Sequence, residues 1–388
     1  MESKTSMKKC IVCGAELSRE PLIRFDNMPA SAQNIPLKEE LENESGILLK
    51  LHQCLGCGLI QFDCEPVDYY RDVIRSGGYS TTMVELRKKQ YSHLIDKYNL
   101  RGKKFIEVGC GQGEFLSVLT EFPVEAYGIE NKSDLVKLAK NNGLNVSQQF
   151  MEDDNTCISG GPFDVFLSFN FLEHQPNPNG MLRGIYNNLK SDGMGLITVP
   201  SFEYILENNG YYEFIHDHIV YYTFDTLRFV LEKNGFMVLE QEMINRDTIS
   251  MIVKKKPIVD VSGIAKSYET ICKEVNDYVT GKETAGKTVA IWGASHQGFT
   301  LASTADLGGV IRYIIDSAPF KQNRYSPASH IPIVSPETAI KDPVDAIIII
   351  APGYTNEIAG IIKENFPKGT EIAVLMTNHL QMYEEISK

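Results

Sequence analysis

Residues 105–115 read FIEVGCGQGEF, and this stretch constrains the fold more than any other. Its first four residues have the apolar run of a short buried strand, and glycines then stand at 109, 111 and 113. The following EFLSVLTEF has the apolar spacing of a helix. A strand that breaks into a glycine turn and opens a helix brings bare backbone N–H groups close to a ligand, with no Cβ in the way. Two acids frame the turn: Glu107 at the end of the strand, and Glu130 closing the next apolar run, AYGIE. The second lies at the spacing where a carboxylate meets ribose hydroxyls.

The same rhythm continues. KSDLVKLAKN reads as an amphipathic helix, FDVFLSFN (163–170) as a buried strand and NPNGMLRGIYNNLKS as a helix. GMGLITVP (193–200) reads as a strand, and TFDTLRFVLEKNG as a helix with Thr223 as N-cap. FMVLEQEM and TISMIVKKK alternate as an antiparallel pair. Dinucleotide folds carry G-x-G-x-x-G, whereas this chain has an acid followed by G-x-G-x-G. The pattern resembles motif I of the class I S-adenosylmethionine-dependent methyltransferases, whose strand–helix alternation also ends in a hairpin. An α/β class I fold follows from that resemblance. So does a cofactor-binding set of Glu107, Gly109, Gly111, Gly113, Glu130 and Asn170.

Eight cysteines divide into two groups. Cys10 and Cys13, and Cys54 and Cys57, form two C-x-x-C knuckles, each followed by glycine. Four thiolates on two tight knuckles suit a closed tetrahedral zinc site that folds the N-terminal segment and takes no part in chemistry. Cys64, Cys110, Cys157 and Cys272 read as buried thiols. With 38 basic against 50 acidic residues, the formal charge of −12 disfavours a nucleic-acid partner. No apolar run reaches membrane-spanning length, and the N-terminus lacks a secretory core, so the expected location is the cytoplasm and no membrane partner is expected. The oligomeric state is not readable.

Four segments follow from these signals: a zinc-binding domain (1–75), a methyltransferase core (76–256), a helical linker (257–285) and a second Rossmann-like domain (286–388). In the last, TVAIWG (288–293) precedes the turn ASHQG, and IRYIID ends in Asp316. With only Gly293 and Gly298 at the turn, this domain reads as a substrate-docking body rather than a second dinucleotide site.

These parts in this order resemble the NDP-sugar C-methyltransferases of deoxysugar biosynthesis. Besides motif I, the likeness rests on IHDHIVYYT (215–223), GASHQGFT (293–300), IIDSAPFKQNRYSP (314–327) and IIIIAPGY. It implies a nucleotide-sugar substrate. His218 falls on the family's proposed base, Asp217 on its glutamate, Tyr79 on a substrate-contacting tyrosine and His174 on a histidine at the substrate mouth. Ile215 stands where the family has a tyrosine, and Asp217 is one methylene shorter than its counterpart.

A sugar carbon becomes nucleophilic only when a base removes a proton beside a ketone, and a histidine is the natural base. His218 is the first candidate, with Asp217 and His216 to tune it and Tyr79 or Tyr222 to bond the enolate oxygen. His296, Lys321 and Arg324 are expected to hold the diphosphate or base, and Glu173 reads as part of the ordinary strand-end pattern. O- or N-methyl transfer to a sugar or other small molecule is the alternative on the same scaffold.

Overall fold

A computed structural model describes residues 9–72 and 80–386. They fall into two units, Met1–Pro257 and Ile258–Lys388.

In the first unit, β1 (Ile23–Met28), β2 (Ile47–Gln53) and β3 (Ile60–Phe62) pair antiparallel beside the cysteine knuckles. After α1 (Thr81–Lys97) come β4 (Lys104–Val108), α2 (Glu114–Leu119), β5 (Glu125–Glu130), α3 (Ser133–Asn141) and β6 (Val146–Gln148). The chain continues through β7 (Phe163–Phe169), α4 (Pro178–Asn188), β8 (Leu189–Pro200), α5 (Phe202–Asn208), β9 (Val220–Tyr221), α6 (Phe224–Lys233), β10 (Phe236–Ile244) and β11 (Thr248–Lys255). Seven strands form one sheet in the order β10-β11-β8-β7-β4-β5-β6. Its β4 to β8 members are parallel, and β11 runs antiparallel to both β8 and β10.

This is the class I methyltransferase sheet that the alternation implies. Every residue of β7 is buried, as a central strand covered on both faces requires. Strand order reverses between β4 and β7, so the carboxyl ends of these strands diverge and open a crevice there. The sequence places the glycine turn on one lip and Asn170 on the other.

Local signals explain the boundaries. Thr223 caps α6, its hydroxyl accepting from Thr226 N at 3.1 Å. Helix α4 ends at Asn188, earlier than the sequence pattern suggests, because β8 starts at Leu189 to continue its pairing with β7. The N-terminal segment is not a separate body: β9, from the core, pairs with β3 to complete a β1-β2-β3-β9 sheet. The predicted boundary near residue 75 is therefore a seam within one unit.

In the second unit, α7 (Ser262–Thr284) occupies most of the stretch expected as a helical linker. Then follow β12 (Val289–Trp292), α8 (His296–Thr304), β13 (Ile311–Ile315), β14 (Arg324–Tyr325), β15 (Pro332–Val334), α9 (Pro336–Lys341), β16 (Ala346–Ile349), α10 (Thr355–Asn365), β17 (Glu371–Leu375) and β18 (Leu380–Met382). The sheet order is β14-β15-β13-β12-β16-β17-β18, with β12, β13, β15, β16 and β17 parallel. No helix among the described residues is long and apolar enough to cross a membrane.

Candidate functional site

A cavity of about 430 Å³ opens in the first unit at the crevice where strand order reverses. Gly109 and Gly111 form one wall, in the left-handed region at φ +73° and +59°. Gly111 N donates to Glu130 Oε2 at 3.0 Å, and Lys132 N donates to Glu130 Oε1 at 2.9 Å. The carboxylate is thereby fixed at the cavity wall. Burial pushes its pKa up, while the N–H bonds from Lys132 and Gly111 pull it down.

Asn170 lines the opposite lip at φ +48°, held by Thr198, whose hydroxyl donates to its Oδ1 at 2.8 Å. Phe150 and Met151, on the loop after β6, supply an apolar end suited to a flat ring. Phe150 packs edge-on against Tyr70 and Phe171.

Two of the sequence-assigned cofactor residues stand elsewhere. Glu107 is wholly buried and does not line the cavity, so it cannot touch a ligand there. Gly113 caps α2 at φ +89°, and a Cβ there would lie 2.2 Å from Leu144 Cδ1. It is glycine because the helix packs against Leu144, not because a ligand comes close.

His174, His218 and Glu173 also line this cavity. The two imidazoles meet edge to face with centroids 4.7 Å apart. His174 Nδ1 lies 2.7 Å from the Asp217 carbonyl oxygen, which only accepts, so Nδ1 carries the proton and Nε2 the lone pair. Burial lowers the pKa of His174, and burial followed by the charge of His174 holds His218 well below the ordinary range. Both rings are therefore neutral near pH 7. Glu173 is not the bland strand-end residue its motif suggests: it is 1% exposed, with Oε1 4.0 Å from His174 Nε2.

The remaining residues of the H-D-H segment act differently from the sequence expectation. Asp217 accepts from Ala32 N at 3.0 Å and from Tyr69 OH at 2.8 Å. Both carboxylate oxygens are thus engaged in clasping the 30–33 segment, and Ala32 and Gln33 become cavity wall.

His216 is not in the cavity. Its Nδ1 faces Ala30 O at 2.7 Å and its Nε2 faces Glu65 O at 2.9 Å. The bond to Cys64 and these two carbonyls raise its pKa to about 9, against burial that lowers it. It is a structural cation rather than a catalytic group. Tyr222 is fully buried away from the cavity, and its hydroxyl has no hydrogen-bond partner among the described residues. It cannot meet substrate or an enolate oxygen. Tyr79 lies outside the described residues.

The four knuckle cysteines converge, with Sγ separations of 3.3 Å for Cys13–Cys54 and 3.7 Å for Cys10–Cys57. Tetrahedral thiolates on zinc stand about 3.8 Å apart, so the donor set fits that ion. N–H groups of Gly56 and Cys57 point at Cys54 Sγ, each at 3.3 Å, and help to pull its pKa down to about 7. Of the other thiols, Cys110 is buried, Cys64 and Cys272 are half-buried and Cys157 is exposed.

His296, Lys321 and Arg324 belong to the second unit. His296 opens α8 and Arg324 lies on the short edge strand β14, both exposed. Lys321 is not a free cation, because its Nζ donates to Asp316 at 2.9 Å.

Several wall residues escaped the sequence reading. Arg71 forms a two-pronged pair with Glu152 at 2.8–2.9 Å. Arg87 is 1% exposed, its guanidinium 3.8 Å from the Phe169 ring centroid and 4.6 Å from that of Phe115. A signal for Arg87 existed. It precedes Tyr91 and Leu94 at helical spacing, which puts a cation on the buried face of α1.

Known family models match stretches of both units. Residues 83–241 match a methyltransferase domain model, and residues 260–376 match a C-methyltransferase C-terminal domain model. The chain is similar to the C-methyltransferase NovU of Streptomyces niveus, with 23% identity over 401 residues covering 94% of each chain. A ubiquinone biosynthesis O-methyltransferase of Glaesserella parasuis is 31% identical over 123 residues, 29% of this chain and 52% of that one. Among solved structures, an S-adenosylmethionine-dependent methyltransferase from Clostridium acetobutylicum aligns over 48% of this chain and 96% of its own, at 12% identity and TM-score 0.38. The two domain matches and the full-length relative make this chain an enzyme, an S-adenosylmethionine-dependent methyltransferase.

Proposed function

We propose that the enzyme methylates a carbon atom of a nucleotide-linked keto-deoxysugar, with His218 removing the proton that makes that carbon nucleophilic. The observation that carries this reading is the placement of two neutral imidazoles, His174 and His218, on the wall of the cavity that Gly111 and Glu130 also line. Support for carbon as acceptor comes from the full-length relative, a C-methyltransferase, and from the C-terminal domain match. The nucleotide-sugar substrate rests on the resemblance of residues 215–223 and 293–300 to the deoxysugar enzymes.

S-adenosylmethionine, when bound, supplies an electrophilic methyl group on a sulfonium. The Gly109–Gly111 backbone and Glu130 would hold its nucleoside, Phe150 would cover its base, and Arg87 is the buried cation suited to its carboxylate. Collinear positioning of donor and acceptor in this cavity would supply most of the acceleration expected for methyl transfer. His218 must then take a proton. Its depressed pKa keeps the imidazole unprotonated through neutral pH, so the base form predominates.

The four cysteines would hold a structural zinc ion that orders the N-terminal sheet. By way of Asp217, Tyr69 and Ala32, that sheet supports the wall beside His218.

Deuterium exchange tests the carbon reading. A nucleotide-linked keto-deoxysugar incubated with enzyme in D2O, without methyl donor, should gain one deuterium next to its ketone, and His218→Ala should abolish the gain. Methyl transfer to oxygen or nitrogen with no ring exchange would exclude it.

A further inference from the structure

Glu173, His174 and His218 are a donor set of a kind that proton transfer alone does not require. One ligand atom from each lies within 4.8 Å of the others, and all three residues line the cavity. His174 has the orientation of a metal-bound histidine. Its Nδ1–H is spent on the Asp217 carbonyl at 2.7 Å, which leaves the Nε2 lone pair on the side of Glu173 Oε1, 4.0 Å away. That carbonyl belongs to a residue whose side chain is itself fixed by Ala32 N and Tyr69 OH. The backbone also ties the ligands together, since Ile219 N donates to Glu173 O at 3.1 Å. Ligands on a cation at bond lengths of about 2.1 Å stand roughly 3.0–3.4 Å apart, so binding would shorten separations of up to 4.8 Å by at most about 1.8 Å, roughly 1 Å of movement per ligand atom.

We propose that Glu173, His174 and His218 form a binding site for a divalent transition-metal cation, and that filling it withdraws His218 from proton transfer. Two imidazole nitrogens and one carboxylate oxygen select zinc, cobalt or manganese over magnesium and calcium, which prefer all-oxygen shells. Three protein ligands leave coordination positions open toward the cavity, as in metal sites that exchange a small-molecule ligand. The cation occupies the lone pair that the base needs, so metal and C–H removal compete. The binding half stands on geometry alone, while the inhibitory half rests on the reading of His218 as the base.

Cobalt(II) is the probe. It is titrated into the full-length, zinc-loaded protein without substrate or methyl donor, and the visible spectrum is followed. The expected result is about one cobalt per chain beyond the cysteine-bound zinc, with the weak bands of nitrogen and oxygen ligation and no thiolate charge transfer. His174→Ala, His218→Ala and Glu173→Gln should each weaken it roughly tenfold or more. Glu173→Gln keeps the side-chain volume and gives the reading even if an alanine variant fails to fold.

Absence of the added cobalt, or binding unchanged in all three variants, overturns the proposal. In the second arm, cobalt should slow deuterium exchange into the keto-sugar, with recovery on adding a chelator too weak to strip the cysteine site. Binding without inhibition overturns the competitive half. Absence of exchange even in metal-free solution strikes the carbon-methylation reading instead and leaves the cation site standing.

Discussion

The two α/β units carry the same device at the same place and use it differently. In each, a glycine turn follows the first strand of the parallel sheet, and an acid at or just past the end of the second accepts a hydrogen bond from that turn. Gly111 N reaches Glu130 at 3.0 Å in the first unit, and Ala294 N reaches Asp316 at 2.9 Å in the second. Beyond that bond they part. Glu130 has no ion pair among the described residues and faces a cavity. Each acid also accepts from the N–H two residues on, Lys132 N and Ala318 N, both at 2.9 Å, but Asp316 alone is neutralised, by Lys321 at 2.9 Å. A Cβ on Gly298 would stand 2.1 Å from Gly293 O, and one on Gly293 would stand 2.5 Å from Ile350 O, so the second turn is packed against backbone. A strand–turn–helix with an acid is therefore a folding motif first. Of the two turns, the first is the one that lines a cavity, with its acid free of an ion pair among the described residues.

The largest expected effect would divide the units outright. Cys54→Ser removes one of four thiolates, and structural zinc sites contribute on the order of 10 kcal/mol to the folding of small domains. Zinc content should fall below one per chain and methyl transfer should drop by about 100-fold or more, because the β1-β2-β3-β9 sheet and the Asp217 clasp lose their support. The second unit should keep its own thermal transition in calorimetry. Loss of both transitions together would show that the units do not fold separately, and the comparison would break.

Next in size is the pair of acids. Glu130→Gln should weaken S-adenosylmethionine binding by roughly 10- to 100-fold, the value of a charge-assisted hydrogen bond, as measured by titration calorimetry. Asp316→Asn should leave that affinity unchanged and lower the melting temperature of its own unit, because Lys321 then lacks its counter-ion. Equal effects of both on donor affinity would mean that the second turn also takes part in ligand binding.

How far this contrast could be read in advance depends on the residue. Glu130 and the glycine turn were legible, because strand periodicity and the spacing of an acid after a G-x-G are local. The knuckle cysteines were legible for the same reason. Glu107 and Tyr222 were misassigned because a motif gives position along the chain but not which way a side chain faces, and Gly113 because its missing Cβ makes room for Leu144. The wall contributed by Ala32 and Gln33 was invisible, since it depends on Asp217 reaching across 185 residues. Glu173 and His174 were adjacent in the sequence, yet their meeting with His218 needed the strand order to be known. Local spacing therefore located the Gly111–Glu130 wall of the cavity, while the wall around His218 is assembled by tertiary contacts that no spacing encodes.

A smaller contrast lies within the glycines. Gly113→Ala forces a methyl group onto Leu144 at φ +89° and should cost about 1–3 kcal/mol of stability, read by denaturant unfolding, with donor affinity nearly intact in the folded fraction. Gly298→Ala meets a carbonyl that cannot swing aside and should cost the second unit at least as much. Gly111→Ala meets only Glu114 Oε2 at 3.2 Å, the end of a flexible side chain, so packing resists it less. Strain at φ +59° remains, and its methyl group enters the cavity wall, so donor affinity should fall more than for Gly113→Ala.

The smallest effect is in pH, and two histidines of one segment should give it opposite signs. His216 has its pKa raised from 6.5 to about 9 by Cys64 and two carbonyls, so the folded state holds the proton more tightly than the unfolded chain. Its contribution is complete below pH 6.5 and is lost as pH rises toward 9. His218 is held below 6.5 by burial, so the unfolded chain binds the proton more tightly. That contribution is complete above pH 6.5 and is lost as pH falls. The melting temperature of the first unit should therefore peak near pH 6.5 as far as these groups decide it. His216→Gln should flatten the alkaline side, and His218→Gln should flatten the acid side. An alkaline limb unchanged in His216→Gln would mean that the bonds to Ala30 and Glu65 do not need the imidazolium. The clasp would then rest on Asp217 and Tyr69 alone, which Tyr69→Phe would test by raising KM for the methyl acceptor more than it lowers kcat.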